Sequence, residues 1–291
     1  MAKKLRTRNH RVVLNRSRGG DIGIFMFLGI LGVFMFLPMY YAIIQSLKPL
    51  NELWMFPPHF YVVSPTLKNF GDMFRLMNNS MVPMTRYIFN TVFISVIGTF
   101  GNLLLASLAA YAITKIAFPG RRFLSKLVEY SLMFHTTVAA IVNFMTMSTL
   151  GLVDSLWAII VPAFGATLGM YLMIQFMSGT VPEAVIESAR LDGSSEFRTY
   201  WQIAMPMVKP AWLTLIVFTF RDLWNTGQSI YIQSEQLKTF NYAVTQIISG
   251  GPSRAGAGAA AAILMMIVPV TVFVISQSNI LETMASSGMK D

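Results

Sequence analysis

The sequence predicts an all-α integral membrane protein with six transmembrane helices and both termini in the cytoplasm. Three observations carry that prediction. Of 291 residues, 54% are hydrophobic and only 12% charged, whereas a soluble domain carries about a quarter charged residues. Uncharged apolar runs recur at the length a bilayer demands, about 20 residues each. The basic N-terminal tail and the short basic loop at 115–126 fall on the same side of the alternation, which the positive-inside rule makes the cytoplasmic side. Cysteine is absent, which excludes a disulfide framework and a thiolate metal site.

Residues 1–21 form a basic cytoplasmic tail, in which Lys3, Lys4, Arg6, Arg8, Arg11, Arg16 and Arg18 stand without an acid before Asp21. Such a tail fixes topology and touches anionic headgroups. Nucleic-acid binding is the weaker reading, because a membrane run follows at once. The first helix, 22–47, is longer than the ~7–15-residue core of a signal peptide and has no cleavage site after it, so it reads as an anchor.

Residues 48–86 then lie outside, stiffened by Pro57, Pro58 and Pro65. The second run, 87–114, returns the chain to a basic inner loop carrying Lys115, Arg121, Arg122 and Lys126. Runs at 130–153 and 155–182 are joined by an outer turn. A fifth run, 207–225, is interrupted by Lys209 near one end and by Arg221 and Asp222 near the other. The polar segment 228–254 is outside and ends in Gly250-Gly251-Pro252, a turn signal. A sixth run covers 255–281, leaving 282–291 as a cytoplasmic tail. No repeat of 20–50 residues is apparent.

The segment VPEAVIESARLDGSSEFRTYWQIAMPMVKP, 181–210, is polar between two spans. Thr180 three residues before Glu183, with Pro182 between, is a capping-box pattern that starts a short helix. Glu187 and Arg190 share a face with Glu183, with Val185 and Ala189 as an apolar stripe beside them. Gly193 suits the left-handed turn that ends a helix. A second helix runs from about Ser195 until Pro206 stops it. The result is a two-helix elbow at the cytoplasmic surface, either a plain connecting loop or a docking element.

Glu187-Ser188-Ala189, Gly193 and Ile203-Ala204-Met205-Pro206, at their spacing, resemble the EAA–G–I–LP loop of ABC importer permeases, with Ser188 and Met205 as departures. Similar likenesses extend over most of the chain. They include the segment from Asn102 to Ile113, Phe118-Pro-Gly-Arg-Arg122, Ser46-Leu-Lys-Pro49, Asn69-Phe70 and Ala189-Arg-Leu-Asp-Gly193. The pattern is similar to the smaller six-helix permease of maltose-type systems, in the carbohydrate-uptake branch.

That resemblance implies a type I fold with a five-helix core at 87–281 and a coupling loop at 180–206. Glu187, Ala189, Arg190, Asp192, Gly193 and Pro206 would form the contact with a cytoplasmic ATPase. It further implies a homologous second permease, two ATPase subunits, an extracellular solute-binding protein and a sugar or oligosaccharide substrate. The setting would be the inner membrane of a bacterial or archaeal cell.

No phosphate-binding glycine loop with a Lys-Ser or Lys-Thr ending occurs. The chain is therefore expected to be no enzyme and to bind no cofactor, with ATP and Mg in the partner ATPases. Gly256-Ala-Gly258 opens a membrane run and reads as a close-packing element rather than a dinucleotide fingerprint. His10, His59 and His135 lack metal-ligand spacing.

His135, inside the third run, is either a packing histidine or a cavity group. Arg221 and Asp222 read as an interfacial ion pair or as part of a pathway. Trp224 and Asn225 offer a flat ring and an amide, groups that hold a sugar. The alternatives are an ABC permease for a non-sugar solute and a self-sufficient secondary transporter, which normally shows more helices or an internal repeat. A membrane-embedded enzyme would need convergent nucleophiles or metal ligands that the spans lack.

Overall fold

A computed structural model of the chain describes residues 18–78, 81–134 and 136–287. The basic side chains of the first eighteen residues, His10, His135 and the last residues of the C-terminal tail lie outside the described residues. Among the described residues the structure is helical throughout, without a strand. A chain in lipid must satisfy its backbone groups within each segment, and helices do so.

The first helix, α1, spans Arg18–Leu47. A single turn at Leu50–Leu53 and helix α2, Lys68–Asn78, occupy the connection that follows. Helix α3, Met84–Lys115, is the central element. It is followed by α4, Arg121–Ser131, α5, Thr136–Thr149, α6, Trp157–Phe164, and α7, Thr167–Thr180. Helix α8 is Glu183–Leu191 and α9 is Glu196–Met207, which meets α10, Lys209–Trp224, at an angle of 82°. Helix α11, Phe240–Ser249, and α12, Ala255–Ser287, complete the chain.

Among the described residues four segments are long and apolar enough to cross a membrane, and five if the bent pair α9–α10 counts as one. Two of the expected runs are not single rods. In the third, α5 has only 14 residues, about 21 Å at 1.5 Å per residue. It ends where Gly151 and Asp154 take left-handed conformations, φ 67° and 60°. Its separation from α4 at Leu132–Phe134 has no signature in the side chains there.

In the fourth run, Gly165 and Ala166 interrupt the helix between α6 and α7. Beside that break the carbonyls of Ala163, which also takes the Ala166 N–H at 3.2 Å, and of Phe164 accept hydrogen bonds from the Asn102 amide at 2.9 and 3.4 Å. Thr219 Oγ1 donates to Asn102 Oδ1 at 3.1 Å. One fully buried asparagine thus ties α3, the broken span and α10 together.

Small residues let the helices approach, as they must where lipid supplies no hydrophobic drive between them. A Cβ on Gly98 would overlap Leu223, and one on Gly101 would overlap the Phe164 ring. The packing reading of Gly256-Ala-Gly258 agrees with the structure: a Cβ on Gly256 would overlap the Asn69 side chain, and Gly258 lies against Ile248. Asn69 Nδ2 in turn donates to the carbonyls of Ser46 and Lys48 at 2.8 and 2.7 Å. The segments 46–49 and 69–70, far apart in sequence, are therefore one latch, closed against α12.

Hydrogen bonds sort the connections into two ends. At one, Asn90 donates to the carbonyls of Gln236 and Lys238 at 2.8 and 2.9 Å, and the Gln233 and Ser234 amides donate to Asp154 at 2.9 and 2.8 Å. At the other, Lys115 Nζ donates to the Val181 carbonyl at 2.5 Å.

Candidate functional site

The elbow is built on this second end. Pro182, in extended conformation, is the N-cap of α8 and no side chain caps it. The helix starts where the sequence placed it, but not through the capping box, because Thr180 is still the last residue of α7. Glu183 in the first turn faces the positive end of the helix dipole. The buried stripe of α8 is Ile186 with Ala189 rather than Val185 with Ala189. Val185 is exposed, since i, i+3 places Ile186 above Ala189 on the core side.

The tip closes with a paired C-cap. Gly193, at φ 78°, donates its N–H to the Arg190 carbonyl at 3.0 Å, and Ser194 donates to the Ala189 carbonyl at 3.0 Å. That pattern needs a left-handed residue, and glycine takes the conformation without strain. Asp192 is the C-cap residue. Ser195 then caps α9, its hydroxyl accepting from the Arg198 N–H at 3.4 Å.

Arg190 pairs across the tip with Glu196, Nε to Oε1 at 2.7 Å, rather than with Glu187 on its own helix. The hydrogen bond that Arg190 donates to Glu196 raises the guanidinium's pKa, against an opposing effect of burial. A second arm, Nη2, reaches the Lys115 carbonyl at 3.0 Å. Tyr111 donates its hydroxyl to Glu196 Oε2 at 2.8 Å, and Ser107 bonds Tyr200 at 2.7 Å. The elbow is therefore fastened to α3 at three successive turns.

Pro206 does not end α9, which runs on to Met207 and breaks at Val208. The reason lies one turn earlier. Residues Tyr200–Ala204 are wound as a π-helix, with Met205 N–H bonded to the Tyr200 carbonyl. This widened turn precedes a proline that has no N–H to donate. Pro210 then opens α10 within its first two positions.

The exposed surface of the elbow includes Glu187 together with Leu191, 89% exposed, Phe197 and Trp201. These three apolar side chains were not singled out in the sequence. Leu191 directly precedes the Asp192-Gly193 turn, and a large apolar residue beside a turn glycine is the signal that would have found it.

The group at the end of α10 is less unified. Arg221 and Asp222 form an exposed pair, Nη2 to Oδ1 at 2.8 Å. Asn225 Nδ2 donates to the Arg221 carbonyl at 2.8 Å, closing the end of α10. Trp224 does not offer its ring to a sugar. It is 5% exposed, its Nε1 donates to the Met265 carbonyl at 3.0 Å, and its face stacks on Phe220 at 5.7 Å. One position along a helix separates an outward side chain from an inward one, and Trp224 falls on the α12 side. His135 lies outside the described residues.

The segment after α10 is a strap rather than a free arm. Asp154 accepts from the amides of Gln233 and Ser234 and from the Ser234 hydroxyl, and donates its own N–H to the Tyr231 carbonyl at 2.7 Å. The Ser234 hydroxyl, then the two amides, hold the Asp154 carboxyl below its usual pKa. Helix α11 buries Phe240, Ala243, Val244 and Ile247. A cleft of about 880 Å³ opens at this end, with Trp54, Asp72, Arg75 and Arg254 on its walls.

No protein-family model matches the chain. It is 30% identical over 210 residues to Protein LplC of Bacillus subtilis, covering 70% of this chain and 67% of that one. It is 28% identical over 276 residues to the sn-glycerol-3-phosphate transport system permease protein UgpE of Yersinia enterocolitica, covering 91% and 96%. The arabinooligosaccharides transport system permease protein AraQ of Bacillus subtilis is 26% identical over 227 residues, covering 77% and 79%. Among solved structures, a chain of a bacterial ABC transporter that imports alginate superposes with a TM-score of 0.74 at 21% identity, covering 90% and 98%.

Proposed function

The chain belongs to the permease family of ABC importers, in its carbohydrate-uptake branch, and from that premise we propose that it carries a sugar or oligosaccharide across the inner membrane together with a second, homologous permease. On this reading α1, α3, α4–α5, α6–α7, α10 and α12 make six passes, with α8 and α9 at the cytoplasmic face and both termini cytoplasmic. The basic tail and inner loop favour that orientation, and the sorting of hydrogen bonds into two ends agrees with connections alternating between the two faces. Solute arrives from an extracellular binding protein. The walls of the outer cleft, Trp54, Asp72, Arg75 and Arg254, have the aromatic and charged character of a protein contact surface. ATP and Mg act in two cytoplasmic ATPase subunits.

The observation that carries the coupling assignment is the elbow itself. It is rigidly pinned to α3 through Arg190, Glu196 and Tyr111, yet exposes Leu191, Phe197 and Trp201. A fixed element with unburied apolar side chains suits a cleft on another subunit. Glu187 adds a carboxylate for charge-assisted bonds at its rim. Movement of the ATPases would pass through α9 and the bend at Val208 into α10.

Co-expression with the second permease and the ATPase tests this. The assembled complex should hydrolyse ATP and take up sugar, whereas the chain reconstituted alone should do neither. Robust uptake by the lone chain would replace the proposal with a secondary transporter.

A further inference from the structure

A second feature at the elbow end is a basic cavity of about 470 Å³ between the end of α3, the start of α4, the end of α7 and the start of α8. That volume falls within the ~300–1,000 Å³ of small-ligand sites. Lys115, Arg121 and Arg122 line it with Ser125 and Ser178, and Glu183 is the single carboxylate on its wall. Lys115 is engaged by the Val181 carbonyl and attracted by Glu183. Among the described residues no acid pairs with Arg121 or Arg122, and no hydrogen bond is made by the side chains of Ser125 or Ser178. The cavity thus holds excess positive charge and unused donors.

What adjoins it is apolar. Helix α4 is anchored in the core by Val128, 6% exposed, while Phe123, Leu124 and Leu127 are exposed by 68%, 41% and 49%. Cations at the start of a helix whose next residues are exposed and apolar match the step from headgroup to acyl layer at a membrane face.

We propose that this cavity is a binding site for the headgroup of an anionic phospholipid, the phosphate lying between Arg121 and Arg122 and the acyl chains along Phe123, Leu124 and Leu127. A guanidinium matches phosphate geometry with paired donors. A soluble phosphate would satisfy the cations but leave the apolar stripe uncovered. Because Pro182 and Glu183 form part of the wall, a bound lipid would brace the root of α8, beside the elbow. The proposal rests on the membrane placement of α3 and α7, and needs no partner subunit.

The full-length chain, in nanodiscs of phosphatidylcholine with or without phosphatidylglycerol, would be released into a mass spectrometer and its retained lipids counted. The wild-type chain should retain phosphatidylglycerol in preference to phosphatidylcholine. R121Q/R122Q should lower that preference by about fivefold for each charge removed, and S178W, which fills the cavity without changing charge, should lower it too. Arg198→Gln, a charge loss on α9 away from the cavity, should leave it unchanged. Equal retention by wild type and R121Q/R122Q would overturn the site. Displacement of the lipid by inorganic phosphate at matching concentration would overturn the lipid assignment in favour of a free anion. So would unchanged lipid retention with lost ATPase binding in R121Q/R122Q, which would make the surface a protein contact. Lipid retention is read on the chain alone, so failure of the importer assignment would leave this result standing.

Discussion

Arg190 reaches across the Gly193 turn to Glu196, 2.7 Å from Nε to Oε1, and so holds the two helices of the elbow at a fixed angle. Both side chains are near half exposed, 40% and 45%, so the pair itself is worth little to overall stability, under about 1 kcal/mol. Its role is geometric. Arg190→Ala and Glu196→Gln should therefore leave expression and thermal stability near wild type, while lowering ATPase association with the complex several-fold. Pull-down of the ATPase subunit measures this, and unchanged association would assign the angle to the backbone turn alone.

That turn can be tested separately. A Cβ on Gly193 would meet nothing within 4 Å, so any penalty for replacing it comes from the left-handed backbone at φ 78°. Gly193→Asn, which tolerates that region, should transport at a substantial fraction of the wild-type rate. Gly193→Val should abolish transport and weaken ATPase association while the chain still inserts. If the valine variant transports normally, the elbow does not couple.

Asn102 links α3, the break between α6 and α7, and α10 through three hydrogen bonds. Asn102→Leu would strip donors from two carbonyls in an apolar interior. Each bond lost between membrane helices is worth about 0.6–1.7 kcal/mol, so a total near 2 kcal/mol is expected. Steric-trap or denaturant unfolding in detergent would measure it. A variant as stable as wild type would mean that water or a local rearrangement satisfies the break.

How much of this was legible in the sequence depended on range. Gly193 and the start of α8 are local chemistry, and were readable from a glycine and a proline in a polar segment. The uncharged runs marked the long apolar helices, α1, α3 and α12 among them, because lipid selects composition over whole spans. What was not legible is set by distant partners. The break at Gly165 persists because Asn102 satisfies it, and Asp154 finds Ser234 eighty residues away. Nor does an aromatic residue near a helix end reveal whether it faces outward or, like Trp224, a neighbouring helix. The π-turn before Pro206 is readable only in hindsight, since proline alone also permits a kink or a stop.

Trp224 and its neighbours now separate into two classes. Trp224→Ala would open a cavity beside Phe220 and Met265 and destabilise the chain by about 3–5 kcal/mol, so its loss of transport would follow loss of fold. Trp224→Phe keeps most of the volume and should retain assembly. Arg221→Gln and Asp222→Asn, on exposed side chains, should leave stability within about 0.5 kcal/mol. A fall in transport by either, at wild-type expression, would place the pair on the solute route or at the binding-protein contact. Wild-type rates would leave it an interfacial ion pair.

The last prediction concerns pH at the strap that follows α10. The carboxyl of Asp154 titrates below its usual value because the Ser234 hydroxyl and the amides of Ser234 and Gln233 all donate to it. A carboxylate with a depressed folded-state pKa contributes stability that is fully present above the unfolded value, about 3.9, and is lost as pH falls through the lower folded value. The strap should thus be fully held at neutral pH and loosen only in strong acid. Protection of the Gln233 and Ser234 amides, corrected for intrinsic exchange, should be flat from neutral to about pH 5 and fall below about pH 4. Asp154→Asn should lower protection at neutral pH and remove the acid-dependent step, because an amide keeps an acceptor but not the charge. If the wild-type step persists in Asp154→Asn, another carboxylate controls the strap, and Glu235, which binds Lys238 at 2.7 Å beside it, is the one to replace next.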